Sequence, residues 1–150
     1  MSRSIIWKLV LAALVGYSGS GLGAEQAPDV KGKWIGKTHT IVAGRGMHWP
    51  KSRGTFDKLA LLEKDLVIDI TGQEGRRFWG VTTISGGAEK TDEPFIGELT
   101  GKDNRSFVFA DTDGFWNGQV DGDTLSFCYM HTGGRSKSTV VSCTDVKRTR

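Results

Sequence analysis

Phe115-Trp116-Asn117-Gly118-Gln119-Val120-Asp121-Gly122-Asp123-Thr124-Leu125-Ser126-Phe127-Cys128-Tyr129-Met130 reads as two strands joined by a tight turn. Large apolar residues alternate with polar ones on both sides of Asp121-Gly122-Asp123, and residues two apart in a strand share a face. Aspartate and glycine tolerate the left-handed backbone that short hairpin turns demand. The same grammar extends in both directions along the chain. Gly72-Gln73-Glu74-Gly75, Lys102-Asp103-Asn104 and Thr112-Asp113-Gly114 are turn clusters between short alternating runs, and no stretch beyond residue 24 keeps helical spacing for three turns. Strands are predicted at Gly32 to Val42, Lys58 to Leu62 (the weakest), Leu66 to Thr71, Arg76 to Ile84, Pro94 to Thr100, Ser106 to Asp111, Phe115 to Val120, Thr124 to Met130 and Ser138 to Lys147.

One unit recurs in these strands: an aromatic residue two positions before a glycine. The pairs are Trp34 with Gly36, Phe78 with Gly80, Phe95 with Gly97, and Trp116 with Gly118. Each sets a large ring beside an empty site on one face, which suits a strongly curved sheet. Short legible turns put sequence neighbours side by side, and closure removes the unpaired edges that many short strands would leave. The expected fold is therefore all-β: an antiparallel up-and-down meander closing into a small eight- or nine-stranded barrel, with the four rings converging inside. The glycine-rich insertion from Ala43 to Thr55, which carries Trp49, is expected as a loop at one barrel mouth.

Residues 1–24 read as an export signal. Arg3 and Lys8 precede the apolar run Leu9 to Val15, small residues follow from Ser18, and Leu22-Gly23-Ala24 forms a cleavage site. The run breaks at Gly16, too early for a spanning helix of about 20 apolar residues, so no stable membrane anchor is expected. Residues 25–150 then form a single barrel domain in the periplasm or outside the cell. Loss of Arg3 and Lys8 takes the net charge from +3 to +1, and the basic end Lys147-Arg148-Thr149-Arg150 is short, so nucleic acid is not an expected partner.

The chain has two cysteines, Cys128 and Cys143, and an exported chain keeps such a pair oxidised. A hairpin centred near Arg135 and Ser136 sets them directly opposite each other. A disulfide is expected.

Other chemistry is sparse. Asp111, Asp113, Asp121 and Asp123 offer oxygen ligands, but their spacing misses the calcium-loop pattern and two hairpin turns explain them. His39, His48 and His131 lack zinc-ligand spacing, although closure can bring His39 near His131. Asp69 with Glu74, or Glu93 with Glu98, would be the carboxylate pairs for sugar chemistry, yet no nucleophile motif accompanies them. No catalytic residue, metal or cofactor is expected, and the chain is not read as an enzyme.

Asp29-Val30-Lys31-Gly32-Lys33-Trp34-Ile35-Gly36 resembles the opening strand of calycin barrels, the group of lipocalins and avidins, which begins with Gly-x-Trp. The stretch Leu66 to Thr83, returning through Gly75-Arg76-Arg77-Phe78-Trp79-Gly80, also resembles the second avidin hairpin in pattern. The resemblance implies that Trp34 packs across the closed end beneath a basic side chain of the last strand, Lys147 or Arg148. It implies too a barrel able to hold a small apolar molecule, although such barrels are equally filled by their own side chains. Thr112-Asp113-Gly114 departs from the Thr-Asp-Tyr of lipocalins, and the polar set of a biotin pocket is missing.

Two functions follow. In the first, a small hydrophobic or amphipathic ligand sits in the barrel against Trp49, Phe78, Phe95 and Trp116. In the second, a protein partner is met on the outside, because Trp79 must face outward if Phe78 and Gly80 face inward, and it lies beside Arg76 and Arg77. Cover from the Ala43 to Thr55 loop, or from a dimer partner, would account for the same tryptophan. Neither the ligand nor the oligomeric state is readable from the residues.

Overall fold

The computed structural model describes residues 26–45, 53–133 and 138–150. The expected export signal therefore lies outside the described residues, as do His48, Trp49, Arg135 and Ser136. Nine strands are present among the described residues: β1 Gly32–Arg45, β2 Arg53–Gly54, β3 Ala60–Glu74, β4 Arg77–Gly86, β5 Glu89–Thr100, β6 Ser106–Ala110, β7 Phe115–Asp121, β8 Thr124–Gly133 and β9 Ser138–Arg148. All pair antiparallel. β1, β3 and the strands that follow pair in sequence order, and β9 returns to β1, so eight strands close a barrel with no open edge. The two residues of β2 add only to the far end of β1, at Gly44 and Arg45.

Two predicted strands, Lys58 to Leu62 and Leu66 to Thr71, prove to be the single strand β3. Glu63-Lys64-Asp65 resembles a break because charged residues are depleted in strands. On a barrel, Glu63 and Asp65 face outward, where the Lys37 ammonium of β1 pairs with both at 3.3 and 3.1 Å. These carboxylates hold the Lys37 pKa above its usual value.

The turn predicted at Gly72 to Gly75 shifts as well. The connection is Gly75-Arg76, with Gly75 at φ 58°, while Gly72, Gln73 and Glu74 belong to β3 beyond a bulge after Ile70. Gly72 serves a close approach, since a Cβ there would lie 2.2 Å from the Trp79 ring. Gln73 accepts from the Val30 N–H at 2.8 Å and donates to Pro28 O at 2.8 Å, which fixes the leading segment to the barrel.

That segment caps the closed end. Val30 and Trp34 are buried, and Trp34 Nε1 donates to Val30 O at 3.0 Å. The Arg148 guanidinium lies 4.4 Å from the centre of the Trp34 ring and donates to Asp29 O at 2.6 Å. Arg148 is thus the basic residue over the tryptophan, while Lys147 points outward to Thr124.

The four rings converge as expected. Trp34, Phe78, Phe95 and Trp116 are all buried in one core with Leu66, Ile68, Leu99, Phe107, Phe109, Phe127 and Val146. The empty sites beside them are filled from neighbouring strands. A Cβ on Gly97 would lie 2.6 Å from the Phe78 ring, and one on Gly118 would lie 2.8 Å from the Phe107 ring. Outside, β1 exposes Lys33, Ile35, Lys37, His39 and Ile41.

Candidate interaction surface

The interior at the closed end is occupied by side chains. Phe95 and Phe109 meet at 4.6 Å between ring centres, Phe109 and Trp116 stack at 4.9 Å, and Phe78 packs edge-on to Phe95 and Phe109. Beside Phe78 and Phe109, where they meet Val30, Ile70, Leu99 and Phe107, a void of about 10 Å³ remains. Three of the expected ligand residues, Phe78, Phe95 and Trp116, are thus packed against one another, and Trp49 lies outside the described residues.

Toward the other end the lining turns polar. Thr38, Thr82, Ser138 and Ser142 are buried, and Thr40 Oγ1 donates to Ser142 Oγ at 2.9 Å. A hollow of about 40 Å³ lies above them, where Thr38, Thr40, Tyr129 and Ser142 meet apolar Val42, Leu62, Ile84 and Val140, and Trp116, alone of the expected ligand residues among those described, reaches its wall. That is room for about one water, whereas ligand pockets run from roughly 300 to 1,000 Å³. Burial first, and then the carboxylates of Asp111, Glu93 and Asp113, push the Tyr129 phenol well above its ordinary range. Because the folded-state pKa is raised, the associated stability is present below the unfolded value of about 10 and is lost as pH rises beyond it. In protein lacking Tyr17, the chain's other tyrosine, absorbance at 295 nm should show no phenolate through that ordinary range until the barrel unfolds. A normal titration of Tyr129 in folded protein would contradict its placement.

Among the described residues, the remaining candidates stand apart from one another. Glu93 is buried in the barrel wall while Glu98 is exposed, because they stand five apart and so face opposite sides. Asp69 pairs with Lys33, and Glu74 with Arg77 at 2.9 Å. His39 is outside near Glu63, whereas His131 Nδ1 contacts Asp113 O at 2.6 Å and its Nε2 contacts Ser138 Oγ at 3.3 Å. Asp111 receives the N–H groups of Asp113 and Gly114 and the Trp116 indole N–H, which makes it the keystone of a turn. Among the described residues no three histidine, cysteine, aspartate or glutamate side chains are grouped to hold a metal ion.

The outer face is more informative. Trp79, Ile96, Ala110 and Phe115 are successive cross-strand partners on β4, β5, β6 and β7. Trp79 is 44% exposed, Ile96 73% and Phe115 69%. A parallel row two residues away, Arg77, Glu98, Val108 and Asn117, is also in register. Between the two rows runs an open groove of about 660 Å³, floored by the backbone of Phe78, Gly97, Phe109 and Trp116. It crosses three inter-strand spacings, roughly 14 Å. One wall is apolar. The other carries Arg77, Glu98 and Asn117 around Val108, which is 49% exposed.

The apolar row continues through Met130, Val141, Ile41 and Leu61, one exposed residue on each of β8, β9, β1 and β3. It reaches β3 at Leu61, whereas Trp79 pairs with Gly72, so the row spirals along the tilted strands. Over β4 to β7 it forms one wall of the groove; the second row also continues, through Cys128, Cys143 and His39, beside a wider hollow of about 1140 Å³ over β6 to β9 and β1.

Of the expected partner-surface residues, Trp79 and Arg77 line this groove. Arg76 stands at its end, donating from Nε to Leu99 O at 2.6 Å with Glu98 at 3.7 Å. Trp79 is partly covered by Gly72 of its own barrel. Ile96, Val108 and Phe115 are the residues that the sequence reading missed. The signal was there: each adjoins an inward aromatic, Phe95, Phe107 or Phe109, and Trp116, and strand alternation forces neighbours to opposite faces.

Cys128 and Cys143 are cross-strand partners and form a disulfide with Cα atoms 4.0 Å apart. This pairing fits an oxidising compartment. The bond links strands already joined in register from Thr124–Lys147 to Gly133–Ser138, so the barrel should survive its loss. We expect thiol titration to find no free cysteine. Reduction should lower stability by about 3 kcal/mol, through the less restricted unfolded chain, while leaving the far-ultraviolet spectrum unchanged. Collapse of that spectrum on reduction would show the bond to be essential to the barrel.

Compared with protein families, curated proteins and solved structures, the chain shows no significant match.

Proposed function

We propose that this chain is an exported, calycin-like barrel that works as a non-enzymatic interaction protein, docking a protein chain through the groove over β4 to β7. The observation that carries this reading is a contrast between the two sides of the wall. Inside, Phe78, Phe95 and Trp116 spend their surface on one another. Outside, Trp79, Ile96 and Phe115 leave theirs in water on one side of a groove. Contiguous exposed apolar surface with a polar rim is what binding surfaces present, and tryptophan and arginine are enriched where such surfaces bind most strongly. The calycin assignment draws on Gly32-x-Trp34 and the Arg148 cover, and export on the signal-like start together with the disulfide.

The test is recovery of partners from the native compartment by the wild type and by Trp79→Ala, with both proteins folded. Loss of one defined partner by the variant supports the reading; equal recovery of every partner counts against it.

The small hollow toward the other end, lined by Trp116 and by both apolar and hydroxyl side chains, favours a second reading, in which a small ligand enters that half of the barrel. Native mass spectrometry of protein from its own source decides it. A retained small molecule favours this reading, and the bare chain mass removes it.

A further inference from the structure

We propose that the occupant of the β4 to β7 groove is a second copy of this chain, in an isologous dimer. The inference rests on the outer-surface reading above and names the partner of that surface. Two observations carry it.

The first is area. Trp79, Ile96, Phe115 and Val108 together leave on the order of 500 Å² of apolar surface in water. One side of a standard interface buries about 800 Å², of which roughly 55–65% is apolar, or about 450–500 Å². The groove therefore already holds the apolar content of one half of a stable dimer.

The second is charge. The rim carries Arg76, Arg77, Glu74 and Glu98, two of each sign. Arg77 and Glu74 pair at 2.9 Å, and Arg76 and Glu98 approach at 3.7 Å. Such a rim selects against no sign and attracts neither a strongly acidic nor a strongly basic partner. A second copy presents the same balanced rim, so every charge meets a surface of zero net charge. A lipid surface is disfavoured for a related reason: the second wall, with Arg77, Glu98 and Asn117, would have to enter the bilayer alongside the apolar one.

In an isologous contact the residue nearest the two-fold axis meets its own counterpart. Ile96 is the most exposed apolar side chain of the groove, flanked in register by Trp79 and Ala110. It is placed nearest the axis.

The experiment is sedimentation of protein purified from its own host, over a concentration series, with three variants. The wild type is expected to dimerise. Ile96→Glu should weaken association about thirtyfold or more, as loss of a central anchor does, without altering the far-ultraviolet spectrum. Ile35→Glu, an equally outward change on β1 away from the groove, should leave the dimer intact. Ile96→Cys should give a covalent dimer on mild oxidation, which does not depend on a destabilising charge.

A wild type that stays monomeric into the millimolar range overturns the proposal, and so does a dimer that Ile96→Glu does not weaken. The outer-surface reading stands apart from both outcomes. If the chain is monomeric yet Trp79→Ala still loses a partner from the native compartment, the groove is a docking surface for a different protein. If Trp79→Ala also loses nothing, both readings fail.

Discussion

Trp34→Ala should destabilise the protein by about 3–5 kcal/mol, the range for truncating a buried aromatic side chain. The residue is completely buried at the closed end, and three interactions end together when it is truncated. The ring leaves a void in the core. Val30 O loses the indole N–H at 3.0 Å, and the Arg148 guanidinium loses the ring face beneath it. Small domains are stable by only about 5–15 kcal/mol, so this one change removes a large share. Urea unfolding should show the midpoint fall with an unchanged slope. Arg148→Ala keeps the ring but removes the cation over it, together with the hydrogen bond to Asp29 O and the ion pair with Asp123, and should cost about 1–2 kcal/mol. A Trp34→Ala loss below about 1 kcal/mol would mean that the ring does not hold the closed end shut.

Gly118→Ala should cost about 3 kcal/mol, the upper part of the usual range for overpacking, although it adds a single methyl group. That carbon would lie 2.2 Å from Ser126 O, 2.5 Å from Phe127 Cβ and 2.8 Å from the Phe107 ring. Two of those neighbours belong to the β8 backbone and the root of its side chain, so rotating a side chain cannot relieve the contact. The β7–β8 ladder must open, or the Phe107 ring must leave its seat. Gly75→Asn is the matched control. Gly75 has a left-handed φ of 58° with nothing within 4 Å of an added Cβ, and asparagine tolerates that backbone. Thermal unfolding of the two variants should separate them clearly. Equal midpoints would show that the aromatic–glycine units are not a packing device.

These two glycines show how the chain can be read. Both stand out in the sequence, but for different reasons. Gly75 ends a turn, a local property that neighbouring residues reveal. Gly118 makes room for Phe107, eleven residues earlier and on another strand, so only its pairing with an aromatic two positions away hinted at its role. Gly72 was misread for the same reason. It resembles a turn residue, yet it is glycine because the Trp79 ring lies across it. The charged run Glu63-Lys64-Asp65 misled in the opposite sense: its carboxylates suit a strand only once Lys37 of β1 lies alongside.

The candidate surface was half legible. Alternation placed Trp79 outside, and the same rule applied to Ile96 and Phe115 would have placed them there too. It could not show that the three share one row, since their alignment is set by the registers of three separate strand pairs.

Residues alone determined the meander, the inward phase of Trp34, Phe78, Phe95 and Trp116, and the Cys128–Cys143 pairing. Each follows from contacts between near neighbours or from the two-residue period of a strand. Closure of β9 on β1, the seating of Arg148 on Trp34, the filling of the core by its own rings and the grouping of Trp79 with Ile96 and Phe115 were decided by the tertiary structure. Those features depend on strand register and on the volumes of side chains far apart in the chain, and a one-residue slip in pairing would carry any of them to the other face.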